Sequence, residues 1–163
     1  MSEIVGSVSD LRMLADVKNE RLIVTSGGFD PMHVGHLRCL IESAELTQKI
    51  GGRTRLAVIV NGDGFLLRKK GYAFMPELER MEIIAGVRGV DYVVPWDDGS
   101  QTVTGALAVL KPFAFTKGGD RDAASNVPEF DLCEQMGTQV IFNVGGGKIQ
   151  SSSTLVDAMK SRK

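Results

Sequence analysis

The amino-acid sequence predicts a single-domain α/β protein: a five-stranded, doubly wound parallel sheet with helices on both faces. Three observations predict it. Five short runs rich in β-branched and aromatic residues alternate along the chain with segments of helical periodicity, the pattern of successive βαβ crossovers. The residues that follow these runs, "GGFDPMH", "GDG", "DDGS", "GGDR" and "GGGKIQSSS", are dressed with glycine, acids and hydroxyls, as loops at the ligand-binding edge of such a sheet would be. No internal repeat, low-complexity stretch or linker divides the chain.

The elements follow in order. Residues 1–20 read as an N-terminal extension in which "SVSDLRMLADVKN" forms a short helix, with Ser9 or Asp10 as its N-cap. The main domain then runs over 21–163 and begins with the strand "RLIVTS" at 21–26. The clearest helix covers 34–50, where Leu37, Leu40, Ile41 and Ala44 recur at i, i+3, i+4 and i+7 and Gly51-Gly52 supplies the stop. Strands are expected at 55–61, 91–96, 112–117 and 138–144. Helices are expected near 77–88, 101–110 and 127–136, with a last one at about 151–161.

Composition narrows the function classes. At 163 residues, 43% hydrophobic and 24% charged, the chain can bury a real core and is not disordered. A formal net charge of −1 argues against a broad nucleic-acid-binding face. No apolar stretch reaches the roughly 18 residues that span a bilayer, and "MSEIVGSVSD" has neither the basic start nor the apolar core of a signal peptide. An intracellular, cytoplasmic protein without a membrane partner is expected. Cys39 and Cys133, far apart and outside any CxxC, read as free thiols in helices.

The only two histidines of the chain, His33 and His36, both fall in "SGGFDPMHVGH", where the first strand hands over to the first long helix. The spacing His33-x-x-His36-x-x-Cys39 invites a metal reading. On a regular helix, however, position i+6 lies about 120° from position i, and no third histidine or CxxC completes a ligand set. No protein-held metal is therefore expected. A dinucleotide fingerprint fails because there is no GxGxxG and Phe29 and Pro31 are bulky. A P-loop fails because "GGGKI" places Ile149 where Ser or Thr is required. What remains is a pair of imidazoles at a helix N-terminus behind a glycine-rich turn, suited to phosphate oxygens and to the charge that builds on a phosphoryl group under attack. Gly35 between them lets a nucleotide approach the backbone.

These residues resemble a known family. "GGFDPMHVGH" is similar to the GxFDxxHxGH signature of nucleotidyltransferases related to the cytidylyltransferases, which share an HxGH motif with pantetheine-phosphate and nicotinamide-mononucleotide adenylyltransferases. The resemblance continues along the chain. "VIVNGD" (58–63) looks like the second-strand segment, and "RKKGYAFMPELERMEII" (68–84) looks like a lysine-containing loop followed by the ER helix. "VDYVVPW" (90–96) looks like the third strand. "TKGGDR" (116–121) is similar to the KGGD turn of heptose-phosphate adenylyltransferases, and "IQSSSTLV" (149–156) to the closing helix start.

The resemblance implies a Rossmann-like fold and transfer of a nucleoside monophosphate from an NTP to a phosphorylated sugar or polyol, with release of pyrophosphate. His36 would contact the transferring phosphoryl group and His33 the β-phosphate side, and one or both of Lys69 and Lys70 would reach the α-phosphate. Gly27, Gly28, Phe29, Asp30, Gly35, Asp63, Arg80, Lys117, Gly118, Gly119, Asp120, Ser152, Ser153 and Thr154 would surround the nucleotide, with Trp96 near the acceptor. Mg²⁺ would be held mainly by the NTP phosphates, and a homodimer is the expected assembly. The KGGD turn favours ATP. "GGGKIQSSST", with Lys148 as its one basic residue, departs from the arginine-bearing stretch of the glycerol-phosphate cytidylyltransferases, which leaves CTP the alternative. A further alternative is a nucleotide-binding regulatory module that releases no pyrophosphate.

Plainer readings stand beside several of these assignments at the sequence level. "SSST" is compatible with simple N-capping and "RKK" with a solvated charge run. Glu79-Arg80 is compatible with a surface pair, and Asp63 and Asp120 with turn formation.

Overall fold

The computed structural model of the chain describes residues 2–119 and 127–146. Among the described residues, six strands form one parallel sheet in the order β1-β4-β3-β2-β5-β6: β1 Glu3–Ile4, β2 Arg21–Gly27, β3 Thr54–Asn61, β4 Tyr92–Trp96, β5 Ala114–Gly118 and β6 Gln139–Val144. Five of them are the expected strands. The sixth, β1, is a correction to the five-stranded sheet: a two-residue edge strand in register with Tyr92 and Val93 of β4. Two residues carry no periodicity, so only its partner strand makes this segment a strand.

The helices are α1 Val8–Lys18, α2 Val34–Ile50, α3 Asp63–Lys70, α4 Glu77–Ala85, α5 Thr104–Leu110 and α6 Phe130–Met136. The N-cap of α1 is Ser7, whose hydroxyl accepts from Asp10 N–H at 3.1 Å, in place of the expected Ser9 or Asp10. The helix starts at Val8 because Val8, Leu11 and Ala15 form the stripe that must be buried. Helix α3 was not expected. Its eight residues bury only Phe65 and Leu66 and end in Arg68-Lys69-Lys70, so they read as loop and charge run. The helix expected at 151–161 lies outside the described residues.

Side chains alternate across the sheet with the strand period of two. Leu22, Val24, Ala57, Ile59, Tyr92, Val94 and Phe115 face a core completed by α1, α5 and α6. Ile23, Leu56, Val58, Val60, Val93 and Ala114 face a second core that includes Leu40 of α2 and Met81 and Ile84 of α4. Residues 5–15 supply Val5, Val8, Leu11 and Ala15 to the first core, so the N-terminal segment packs on the sheet. No described helix is long and apolar enough to cross a membrane.

The strand order fixes where a ligand can enter. From β2 the chain winds through β3 to β4, then crosses to the other side of β2 to add β5 and β6. The switch point lies between β2 and β5, and the crevice at their carboxyl ends is the binding edge of such sheets.

Candidate active site

At that switch point β2 ends at Gly27, and residues 28–33 turn the chain into α2. Phe29 is buried at φ +51°, and the Asp30–Pro31 peptide is cis. The turn delivers His33 to the N-cap of α2. His33 Nδ1 accepts from Gly35 N–H at 3.1 Å and from His36 N–H at 3.4 Å, while His36 Nδ1 accepts from His33 N–H at 3.2 Å. This is a reciprocal capping box made of two imidazoles in place of a hydroxyl and a carboxylate. The rings stack with centroids 3.8 Å apart, and the ring of Phe29 meets His36 edge-on at 5.0 Å.

Capping has a chemical consequence. A nitrogen that accepts a backbone N–H carries no proton, so each neutral imidazole bears its proton on Nε2. Burial, with the positive potentials of His33 and Lys70 beside it, lowers His36 to about 4. His36 is therefore a neutral N–H donor at physiological pH, set at a helix N-terminus whose backbone dipoles favour anions.

Cys39 lies about one turn beyond His36 on the same helix, against Gly118 and Gly145. Burial pushes its thiol pKa up, against the opposing effect of the neighbouring Thr25 and Ser43 hydroxyls. Both cysteines are free. Among the described residues, no group of three His, Cys, Asp or Glu side chains could hold a metal ion. The glycine turns after β5 and β6 close on this start of α2. A Cβ on Gly118 would lie 2.9 Å from Cys39 Sγ. One on Gly145, at φ +86°, would lie 2.6 Å from the Cys39 backbone nitrogen, so only glycine fits. Gly145 N–H also donates to the Glu42 carboxylate.

On the other side of the turn sits a network of buried charge. Asp30 is 1% exposed. Its carboxylate accepts from Phe74 N–H and Met75 N–H, each at 2.6 Å, and pairs with Lys70 Nζ at 3.3 Å. Arg80 is fully buried. It donates to the carbonyls of Met75 at 2.9 Å, Gly28 at 2.9 Å and Asn61 at 2.5 Å, and to the Asp63 carboxylate at 2.7 Å. The surface-pair reading of Glu79-Arg80 is thereby overturned: Glu79 is exposed, whereas the guanidinium is spent on internal acceptors. The loop reading of the lysines is corrected as well, because Lys69 and Lys70 end helix α3.

The structure brings His33, His36, Gly27, Gly28, Phe29, Asp30, Gly35, Lys70 and Arg80 to one corner, with Lys117, Gly118 and Gly119 on the neighbouring strand end across the switch point. Lys69 Nζ lies over the Phe65 ring at 5.8 Å and Lys117 Nζ over the Phe115 ring at 5.2 Å. Asp63, 46% exposed, begins α3 at the end of β3. Trp96 ends β4, two strands from β2. It lines a separate cavity of about 300 Å³ together with Ser7, Ser9, Glu77 and Asp97. Asp120, Ser152, Ser153 and Thr154 lie outside the described residues. The sequence reading missed the Gly71–Met75 connection, because its bonds to Asp30 span 44 and 45 residues and leave no local signal.

A doubly wound parallel sheet whose switch point holds a histidine-capped helix and converging glycine turns defines an α/β domain of the Rossmann-like class. Residues 24–144 match the family model described as cytidylyltransferase-like, and the chain belongs to that family. Among curated relatives it is similar to the "Bifunctional protein HldE" of Blochmanniella pennsylvanica, 34% identical over 154 residues, covering 89% of this chain and 29% of that protein. The protein of the same name from Chromohalobacter salexigens is 38% identical over 117 residues, covering 71% and 23%. The chain spans about a quarter to a third of the length of these relatives. Among solved structures, the lipopolysaccharide core biosynthesis protein from Thermoplasma volcanium superposes with a TM-score of 0.57 at 23% identity, covering 80% of this chain and 97% of that one. That likeness supports the fold.

Proposed function

We propose that the chain is a nucleotidyltransferase that moves a nucleoside monophosphate from an NTP, ATP in preference to CTP, onto a phosphorylated sugar or polyol, with release of pyrophosphate. The observation that carries this reading is the imidazole capping box, which sets two rings as Nε2–H donors at the N-terminus of α2. An acceptor phosphate oxygen attacks the α-phosphorus in line, the α–β bridging bond breaks, and pyrophosphate leaves with the bonding electrons. No covalent intermediate on the protein is needed, so the protein contributes positioning and charge stabilisation. His36 donates to the transferring phosphoryl group and His33 to the β-phosphate side. Lys70, and Lys69 beside it, supply positive charge from the end of α3, and Lys117, Gly118 and Gly119 flank the nucleotide. Trp96, which lines the separate cavity with Ser7, Ser9, Glu77 and Asp97, would reach the acceptor only if the acceptor extends toward that cavity.

Mg²⁺ would arrive on the triphosphate, held mainly by phosphate oxygens and water. The ion would neutralise phosphate charge. Family membership and the HldE relatives support a nucleotidyl transfer onto a phosphorylated acceptor. The preference for ATP rests on the KGGD turn. A cytoplasmic homodimer completes the reading.

The test is pyrophosphate release with each of four NTPs against a panel of phosphorylated sugars, glycerol phosphate and other phosphorylated alcohols. Release with ATP and a sugar phosphate supports the full proposal, and release with CTP alone moves it to the cytidylyl alternative. Nucleotide binding without release under any pairing would leave only the regulatory module.

A further inference from the structure

We propose that Asp30 is a positioning residue for Lys70: its buried carboxylate holds the ammonium, and the chain from Gly71 to Met75, beside the histidine pair. The inference rests on the nucleotidyltransferase reading for its purpose, but its geometry stands alone.

A carboxylate removed from water must be compensated by charge and by hydrogen bonds. Asp30 receives both from one stretch of chain. Phe74 N–H donates to one oxygen and Met75 N–H to the other, each at 2.6 Å, and Lys70 Nζ lies 3.3 Å from the first. Lys70 Nζ also donates to the Asp30 backbone carbonyl at 3.0 Å and lies 4.7 Å from the centre of the Tyr72 ring. One aspartate thus fixes the end of α3 and the following connection, 40 to 45 residues away in sequence. Arg80 completes the grip from the opposite side: it takes the Met75 carbonyl while Asp30 takes the Met75 N–H. Its Nη1 holds the Gly28 carbonyl, so both ends of the bracket are tied to the turn that carries the histidines.

Direct nucleotide binding by Asp30 is poorly served by this arrangement. The side chain has no exposure, both oxygens are engaged, and a carboxylate repels phosphate. A lysine, by contrast, is a mobile point charge on a four-carbon stem, and its value at a reacting phosphate depends on being held in place. Lys70 lies close enough to His36 to act on its charge, so the held ammonium and the imidazoles share one corner.

Asp30→Asn keeps the size of the side chain and removes its charge, and three measurements test the role. Limited trypsin digestion, read by mass spectrometry, should cut after Lys69 or Lys70 on the order of tenfold faster in the variant, because the freed connection opens locally. In pyrophosphate release, Asp30→Asn and Lys70→Met should each lower kcat by about 10- to 100-fold while KM for the NTP moves by less than about threefold. The double variant should be within about twofold of Lys70→Met alone, because two residues acting through one ammonium do not add. Losses that multiply, or unchanged cleavage, would overturn the proposal. If Asp30→Asn does not fold, acetylation of the wild-type protein decides. Lys70 labelled about tenfold more slowly than the exposed Lys49 supports the assignment, and equal rates remove it. A wild-type protein that releases no pyrophosphate would sink the reaction, while the digestion and labelling would still report on Asp30.

Discussion

In the proposed mechanism His33 and His36 cap α2 through Nδ1 and donate to phosphate through Nε2–H. Serine, threonine, aspartate and asparagine usually cap helices because a short side chain can accept a backbone N–H. Here imidazole Nδ1 does so twice, and the cost of ordering the rings is met by the helix itself. The donors are therefore in place before any ligand arrives, which is what charge stabilisation in a transition state requires. His36→Ala should lower turnover on the order of 100- to 1,000-fold in a pyrophosphate-release assay while the protein remains folded. An unchanged rate would remove the assigned mechanism. The depressed pKa carries a second expectation. Unfolded chains bind the His36 proton below about 6.5, whereas the native state does so only near 4. Stability from this group is thus fully present above the upper value and is lost as pH falls toward the lower one, by roughly 3 kcal/mol in all. Urea midpoints of the wild type should fall between about pH 7 and about pH 4.5, and His36→Ala should lose that share of the slope.

At the scale of elements, the connection between β3 and β4 contains most of what the sequence hid. Helix α3 is short, buries two residues and ends in three basic side chains, so its pattern resembles a solvated run. What joins it to the histidine corner is Arg80, which ties the end of β2, the end of β3, the start of α3 and the approach to α4 through four acceptors. Replacing Arg80 by methionine would strand the buried side of that network. We expect a loss of about 3–5 kcal/mol in urea unfolding, with Arg80→Lys giving little rescue because an ammonium cannot reproduce the planar fork. A loss below about 1 kcal/mol would show that water substitutes for the guanidinium.

For the whole molecule, the N-terminal segment is the test of integration. β1 extends the sheet beside β4, and Leu11 is fully buried between α1 and the rest of the first core. Leu11→Ala should cost about 2–5 kcal/mol in chemical denaturation, as for a central core leucine. A much smaller cost would mean that α1 is peripheral. The doubly wound plan itself was legible because two periodicities, 3.6 and 2, are written into the apolar positions. Leu40 within 34–50 and Val58 within 55–61 declare their elements locally, and strands separated by helices leave only a parallel sheet. The HxGH pair was legible as well, because both histidines, the glycines and the helix start lie within eleven consecutive residues. The sequence by itself therefore determined the strand–helix alternation and the place of the histidine pair at the start of α2. Only tertiary structure decided that β1 is a strand, that Arg80 is buried, and that Asp30 grips Lys70 and the Gly71–Met75 connection. Those facts depend on contacts between residues tens of positions apart, and such contacts form only when the sheet brings separate strand ends together; periodicity reports on near neighbours alone.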